Sequence, residues 1–202
     1  MKILVVAAMP NEMKSIKEWI KSADLKVKLN IDFLCCGIGN YEAISSLEHY
    51  LTEHNEPTFI WNIWICGYRN LNNEKKSDPI QASNVINIHT EKESIIPPFL
   101  QVAPLKTCFS GETVIYEKPK FTKEIGTLDD EMYFDMESRW IEFVASKYKF
   151  PRLFLKVPFD FVWSETEWLK NNESFKNMNL SLGDLSYHEY LQKILSWINN
   201  NE

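Results

Sequence analysis

Residues Lys2 to Ala8, KILVVAA, form a continuous apolar, β-branched run. At that length such a run reads as a strand buried on both faces, as in the interior of a parallel sheet. Pro10 then stands where proline suits the first turn of a helix, Glu12 follows, and Met13, Ile16 and Ile20 recur at helical spacing. Val27 to Cys36 reads as a second strand, Gly37-Ile38-Gly39 as a tight turn, and Tyr41 to Leu51 as a helix with Ala43, Ile44, Leu47 and Leu51 on its apolar face. Thr58 to Cys66 supplies a third strand. Strand, helix, strand, helix, strand is the α/β order, with right-handed crossovers expected.

Further along, the polar stretch Leu71 to Asp78 reads as a loop, and Ala82 to His89 and Leu105 to Phe109 as strands separated by a turn or excursion. Ser110-Gly111-Glu112 is a turn, Lys120 to Ile125 a short helix and Met132 to Phe134 a brief strand. Met136, Trp140, Phe143, Val144 and Tyr148 fall in one stripe, which predicts a helix ending before Pro151. Leu153 to Val157 is the next strand. The closing helix carries Tyr187, Tyr190, Leu191, Ile194, Leu195 and Ile198 on one face, expected to pack on the outer side of the sheet.

Composition excludes several classes of function. The 202 residues, 45% hydrophobic and 25% charged, suit one globular domain spanning 1–202. The formal charge of -6 offers no footprint for nucleic acid or an anionic membrane. The apolar run Ile3 to Met9 is too short to span a bilayer and lacks the flanks of a signal peptide, so a cytoplasmic protein is expected. Cys35, Cys36, Cys66 and Cys108 form no CxxC pair or Cys/His ligand spacing and read as reduced, packed thiols. His49, His54, His89 and His188 are scattered among polar neighbours, so no metal site is expected.

In open α/β sheets a ligand sits beyond the carboxyl ends of the strands. The residues there are Glu12, Gly37-Ile38-Gly39, Cys66-Gly67-Tyr68-Arg69, Ser110-Gly111-Glu112, Asp135-Met136-Glu137 and Asp160. Glu12, Glu137 and Asp160 thus converge on one rim. Acids gathered there suit a reaction needing a general acid, an activated water and an acceptor for sugar hydroxyls. Taken singly, each has a plain structural reading as well, Glu12 and Glu137 as acids at helix starts and Asp160 as a turn residue.

These segments resemble the nucleoside phosphorylase and nucleosidase superfamily, most nearly the methylthioadenosine/S-adenosylhomocysteine nucleosidases. The opening MKILVVAAMPNE, the CCGIGNYEA turn, FSGET, FDMES, FLKVPFD and the final LSYHEYLQKIL each resemble a segment of that family, almost end to end. The resemblance implies a single three-layer α/β domain with a mixed, twisted central sheet and helices on both faces. It implies hydrolysis of the N-glycosidic bond of a purine nucleoside or thionucleoside, with no metal or organic cofactor and with a homodimeric assembly. By the same resemblance Glu12 handles the nucleophilic water, Asp160 protonates the purine, and Met136 and Glu137 lie under and on the ribose. Phe134, Ile115, Val114, Ile65 and Phe159 are the other implied substrate-binding positions.

The chain also departs from the family pattern. Ile63-Trp64-Ile65-Cys66-Gly67-Tyr68 replaces a run of small residues, so bulk either fills part of the cavity there or the backbone runs differently. Val114 stands where the family has an aromatic residue, Phe159 where it has a serine and Lys156 where it has an arginine. Competing readings are a phosphorolytic phosphorylase, a futalosine hydrolase, or a non-catalytic nucleoside-binding relative. Phosphorolysis needs cationic or hydroxyl ligands for an oxyanion, and neither the GIGN turn nor AMPNE supplies an arginine.

Overall fold

The computed structural model describes residues 2–22, 30–54, 58–70, 78–97, 99–112, 131–161, 190, 192–194 and 196. The predicted helix at 120–125 and the loop at 71–77 lie outside the described residues. The elements run β1 (Lys2–Ala7), α1 (Pro10–Ser22), β2 (Asn30–Cys35), α2 (Asn40–Glu53), β3 (Thr58–Asn70), β4 (Ile80–Asn87), β5 (Glu93–Ile95), β6 (Leu105–Ser110), β7 (Glu131–Asp135), α3 (Ser138–Lys147) and β8 (Arg152–Phe161). Tyr190, residues 192–194 and Ser196 are helical, and Ile194 is fully buried, as the closing helix requires.

All eight strands join one mixed sheet in the order β2-β1-β3-β7-β6-β4-β5, with β8 pairing to both β3 and β4. The apolar run of β1 behaves as expected: Ile3 to Ala7 are wholly buried, and β1 is flanked by β2 and β3, both parallel to it. Ile3, Leu4, Val5 and Val6 each contribute roughly 1.5–3 kcal/mol through removal of the side chain from water. Met13, Ile16 and Ile20 of α1, and Ala43, Leu47 and Leu51 of α2, are the buried faces that the helical spacing predicts. Among the described residues no helix is long and apolar enough to cross a membrane.

β3 organises the sheet. Residues 58–62 pair with β1 and residues 67–70 with β7, while β8 pairs along 60–68 and overlaps both. A strand has only two edges, so β1 and β7 must share one edge of β3, end to end. β1 runs parallel to β3 and β7 antiparallel, which points their carboxyl ends at each other across Ile63 to Cys66. The pairings β3 to β7 to β6 to β4 to β8 and back to β3 also close a circuit.

Several expectations need correction. β3 continues past Cys66 to Asn70, because β7 and β8 supply partners for its backbone. β8 continues through Pro158 to Phe161, with the register shifting as it passes Phe159; bulges are where a sheet tolerates proline. The excursion before β6 contains the short strand β5. In α3 the buried face is Ser138, Ile141, Glu142, Val144 and Ala145, while Phe143 is exposed and Met136 precedes the helix. The cysteines are free as expected, but Cys35 is exposed rather than packed.

Glu142 takes the inward position because Arg152 of β8 meets it there. Nε and Nη2 each lie 2.6 Å from a carboxylate oxygen of Glu142, a bidentate geometry with both groups almost out of solvent. Truncating one partner leaves a buried charge unopposed. Glu142→Ala is expected to lower stability by about 3 kcal/mol in urea unfolding, and Glu142→Leu with Arg152→Met to recover most of it. An unchanged midpoint in Glu142→Ala would show that the pair carries no such strain of charge.

Candidate functional site

The carboxyl ends of β1, β2, β6 and β7 meet at the gap along β3. As β1 ends, Glu12 in the first turn of α1 turns back so that its Oε2 accepts the Met9 N–H at 3.2 Å. This satisfies one of the amides left open at the start of a helix. The parallel ladder continues past the strands, with Cys36 N–H donating to Ala7 O at 2.8 Å and Gly37 N–H to Ala8 O at 3.1 Å. Gly37 then has φ of +82°, and a Cβ there would lie 2.7 Å from Cβ of Glu42, so only glycine fits the turn.

Gly39, at φ +89° and capping α2, donates its N–H to Oε1 of Glu137 at 2.9 Å. Glu137 Oε2 accepts the Met136 N–H at 3.3 Å. The exits of β1, β2 and β7 are thereby tied together, and Glu12 and Glu137 sit on the linked backbone. Glu137 is 4% exposed. Burial, and next the charge of Asp135, push its carboxyl up to about 7, against the Gly39 and Met136 amides and the Lys156 cation. Near neutral pH it is poised between acceptor and donor.

Behind Glu137 lies a set of buried polar groups. Asp135 Oδ2 is 2.7 Å from Lys156 Nζ, both side chains having no exposed surface. The Ser138 N–H lies 3.2 and 3.3 Å from the two Asp135 oxygens, and the Ser138 hydroxyl donates to Oδ2 as well. Lys156 Nζ donates to Asn62 Oδ1 at 2.5 Å, and Asn62 Nδ2 donates to the Val6 carbonyl at 3.2 Å. Burial is the largest single influence on the Lys156 ammonium and works against it, but the charge and hydrogen bond of Asp135 together with Cys108 and Glu137 outweigh it and hold the group above its ordinary value. Burial pushes the Cys36 thiol up to about 12, with Glu137's charge adding to it, and raises Cys108 well above the usual thiol range. Neither thiol is a ready nucleophile.

The remaining candidates are placed unevenly. Ile65 is buried, in the stretch of β3 between its pairings with β1 and β7, and Met136 is half-buried at the exit of β7. Phe134 packs on Phe109 at 5.7 Å between centroids, within a cluster with Ile86 and Met132. The Asp160 backbone lies opposite Gly67, which in turn lies opposite Phe134. The side chains of Asp160 and Phe159, and all of Val114 and Ile115, lie outside the described residues. Of the bulky departures, Tyr68 is absorbed into a cluster with Cys66, Ile80 and Tyr133. Asn62 and Ser138 escaped sequence reasoning, though a lone amide inside the apolar strand TFIWNIWIC was a visible signal. Among the described residues no group of three or more His, Cys, Asp or Glu side chains is arranged to hold a metal ion.

A carboxyl raised from 4.5 to about 7 binds more protons folded than unfolded between those values, so stability falls as pH rises through that window. Glu137→Gln removes this penalty. Its Tm is expected to exceed wild type by on the order of 4 °C at pH 8 and by little at pH 4.5; equal shifts at both pH values would contradict the charge assignment.

No model of a known protein family matches the sequence, and no curated protein matches it. Solved structures do. A 5'-methylthioadenosine nucleosidase of Arabidopsis thaliana superposes with a TM-score of 0.75 at 17% identity, covering 98% of this chain and 96% of the other. The 5'-methylthioadenosine/S-adenosylhomocysteine nucleosidase of Helicobacter pylori, solved with butyl-thio-DADMe-Immucillin-A, gives 0.71 at 14% identity over 99% and 98%. The S-adenosylhomocysteine nucleosidase of Streptococcus pyogenes, in complex with 5-methylthiotubericidin, gives 0.70 at 13% over 99% and 97%. The chain therefore has the fold of these enzymes along almost its whole length.

Proposed function

We propose that this chain is a nucleosidase that hydrolyses the N-glycosidic bond of a purine nucleoside or thionucleoside and releases the free base. The observation that carries the reading is Glu137, a carboxyl buried where the strand exits converge and balanced near neutral pH. It sits in a fold shared over nearly its full length with nucleosidases.

Breaking the bond builds positive charge on the ribosyl centre and negative charge on the departing base. In our reading Asp160 donates a proton to the base as the bond lengthens, and Glu12 holds and deprotonates the water that attacks C1′. Glu137 accepts hydrogen bonds from ribose hydroxyls, and its charge favours the developing cation. Ile65, Phe134, Met136 and Phe159, with Val114 and Ile115, line the site in this account. Water rather than phosphate is the nucleophile: Lys156 is closed off from solvent and engaged by Asp135, which leaves it a poor host for a phosphate dianion.

We further take residues 1–202 as one three-layer domain with helices on both faces of the sheet, working in the cytoplasm as a homodimer. Ile38 and Tyr41, 55% and 75% exposed beside the Gly37 to Gly39 turn, support a partner surface next to the site. Tyr41→Arg is expected to shift the wild-type dimer towards monomer in light scattering; a wild-type monomer at micromolar concentration would count against the assembly.

Incubation of the protein with a panel of purine nucleosides in phosphate-free buffer tests the activity, with free base read by chromatography. Asp160→Asn and Glu12→Gln are each expected to slow base release by roughly a hundredfold or more with the fold intact. Glu137→Gln should raise KM as well as lower kcat, since the bonds to ribose exist before and during the reaction. The acid limb of kcat/KM should have its midpoint at about 7, because the acceptor carboxylate is lost below it. A full-length protein that binds nucleosides but frees no base would favour the non-catalytic reading.

A further inference from the structure

Glu137 does not stand alone. Asp135, two residues before it, is also buried, and its charge bears on Glu137. Two carboxylates in one dry site cannot both ionise without a compensating cation. Lys156 lies between strands at that place, its side chain wholly out of solvent, 2.7 Å from Asp135 and 2.5 Å from Asn62. The junction draws on β3 for Asn62, β7 for Asp135, β8 for Lys156 and the start of α3 for Ser138. A hydrophobic residue of similar volume would fill the space at no loss of stability in many proteins, so packing alone gives no reason for a lysine.

We propose that Lys156 is a positioning residue for Glu137: its ammonium, clamped by Asn62 and Asp135, neutralises Asp135 and leaves Glu137 as the carboxyl free to take on charge for the ribose hydroxyls. The inference rests on the reading of Glu137 as the hydroxyl acceptor. Among the described residues, the titratable groups that bear on these side chains include Asp135 from β7, Cys108 from β6 and Cys36 from the turn after β2. Both thiols are buried and stay protonated, so they add no charge near neutral pH. With Lys156 present the set carries a net charge of zero or one negative charge as Glu137 titrates; without it, one or two.

Carbon-13 NMR of the glutamate side-chain carboxyls tests this without a substrate, the Glu137 resonance being identified by its loss in Glu137→Gln. The Glu137 midpoint is expected to rise by about one pH unit or more in Lys156→Met and to stay within about half a unit in Lys156→Arg. The acid limb of nucleoside turnover should move by the same interval, with kcat/KM at pH 7 falling about fivefold or more in Lys156→Met. A folded Lys156→Met with an unmoved midpoint would overturn the proposal. Should Lys156→Met not fold, Asp135→Asn decides: removing the like charge while keeping the cation must lower the Glu137 midpoint, and an unchanged value overturns the assignment. A carboxyl that shifts as expected in a protein that cleaves no nucleoside would leave the charge assignment standing and remove the nucleosidase reading instead.

Discussion

Sharing one edge of β3 between two strands is the constraint on which the site depends. β1 covers the first residues of that edge and β7 the last, and because they run in opposite directions their carboxyl ends face each other. Neither strand can continue without colliding with the other, so both chains turn away at the same place. The turn after β1 leads into α1 with Glu12, and the turn after β7 leads into α3 with Asp135 to Ser138 at its start. Ligand sites in α/β sheets form at such reversals for this reason. The gap leaves backbone and side-chain polar groups that water cannot reach. Asn62, Lys156, Asp135 and Ser138 satisfy one another there.

The arrangement trades stability for chemistry. A buried carboxyl forced to ionise near neutral pH is a cost to the fold, and a buried lysine adds a second. Each is held by two or more partners, which is what allows them to persist. The Gly39 amide is the pivotal donor, since it links a turn after β2 to a side chain 98 residues later. A residue other than glycine at φ +89° would strain that turn. Local backbone geometry and the charge state of the site are therefore joined through one hydrogen bond.

Much of the frame was legible in the sequence because it is written in local periodicity. The run KILVVAA and the spacing of Met13, Ile16 and Ile20, or of Ala43, Leu47 and Leu51, depend on neighbours along the chain, and the structure agrees. Most of the misses involve distant partners. Gly67 to Asn70 break the apolar pattern, yet β7 and β8 pair with them from far along the chain. Phe143 was placed inside by spacing, but Arg152 draws Glu142 inward instead. At the site, the strand exits and the carboxylates of Glu12 and Glu137 were readable, whereas the contacts joining Lys156 to Asp135 and Asn62 were not. A lone polar residue in an apolar strand announces a buried partner without naming it.

On the proposed reading, water attacks the anomeric carbon of a purine nucleoside at the gap along β3. Running the reaction on methylthioadenosine in water enriched in heavy oxygen, without phosphate, and analysing the freed sugar by mass spectrometry tests it most directly. The account predicts free adenine together with a sugar that carries the heavy oxygen at C1′. Base release that requires phosphate and yields a sugar 1-phosphate, or no base release from any purine nucleoside, would contradict it.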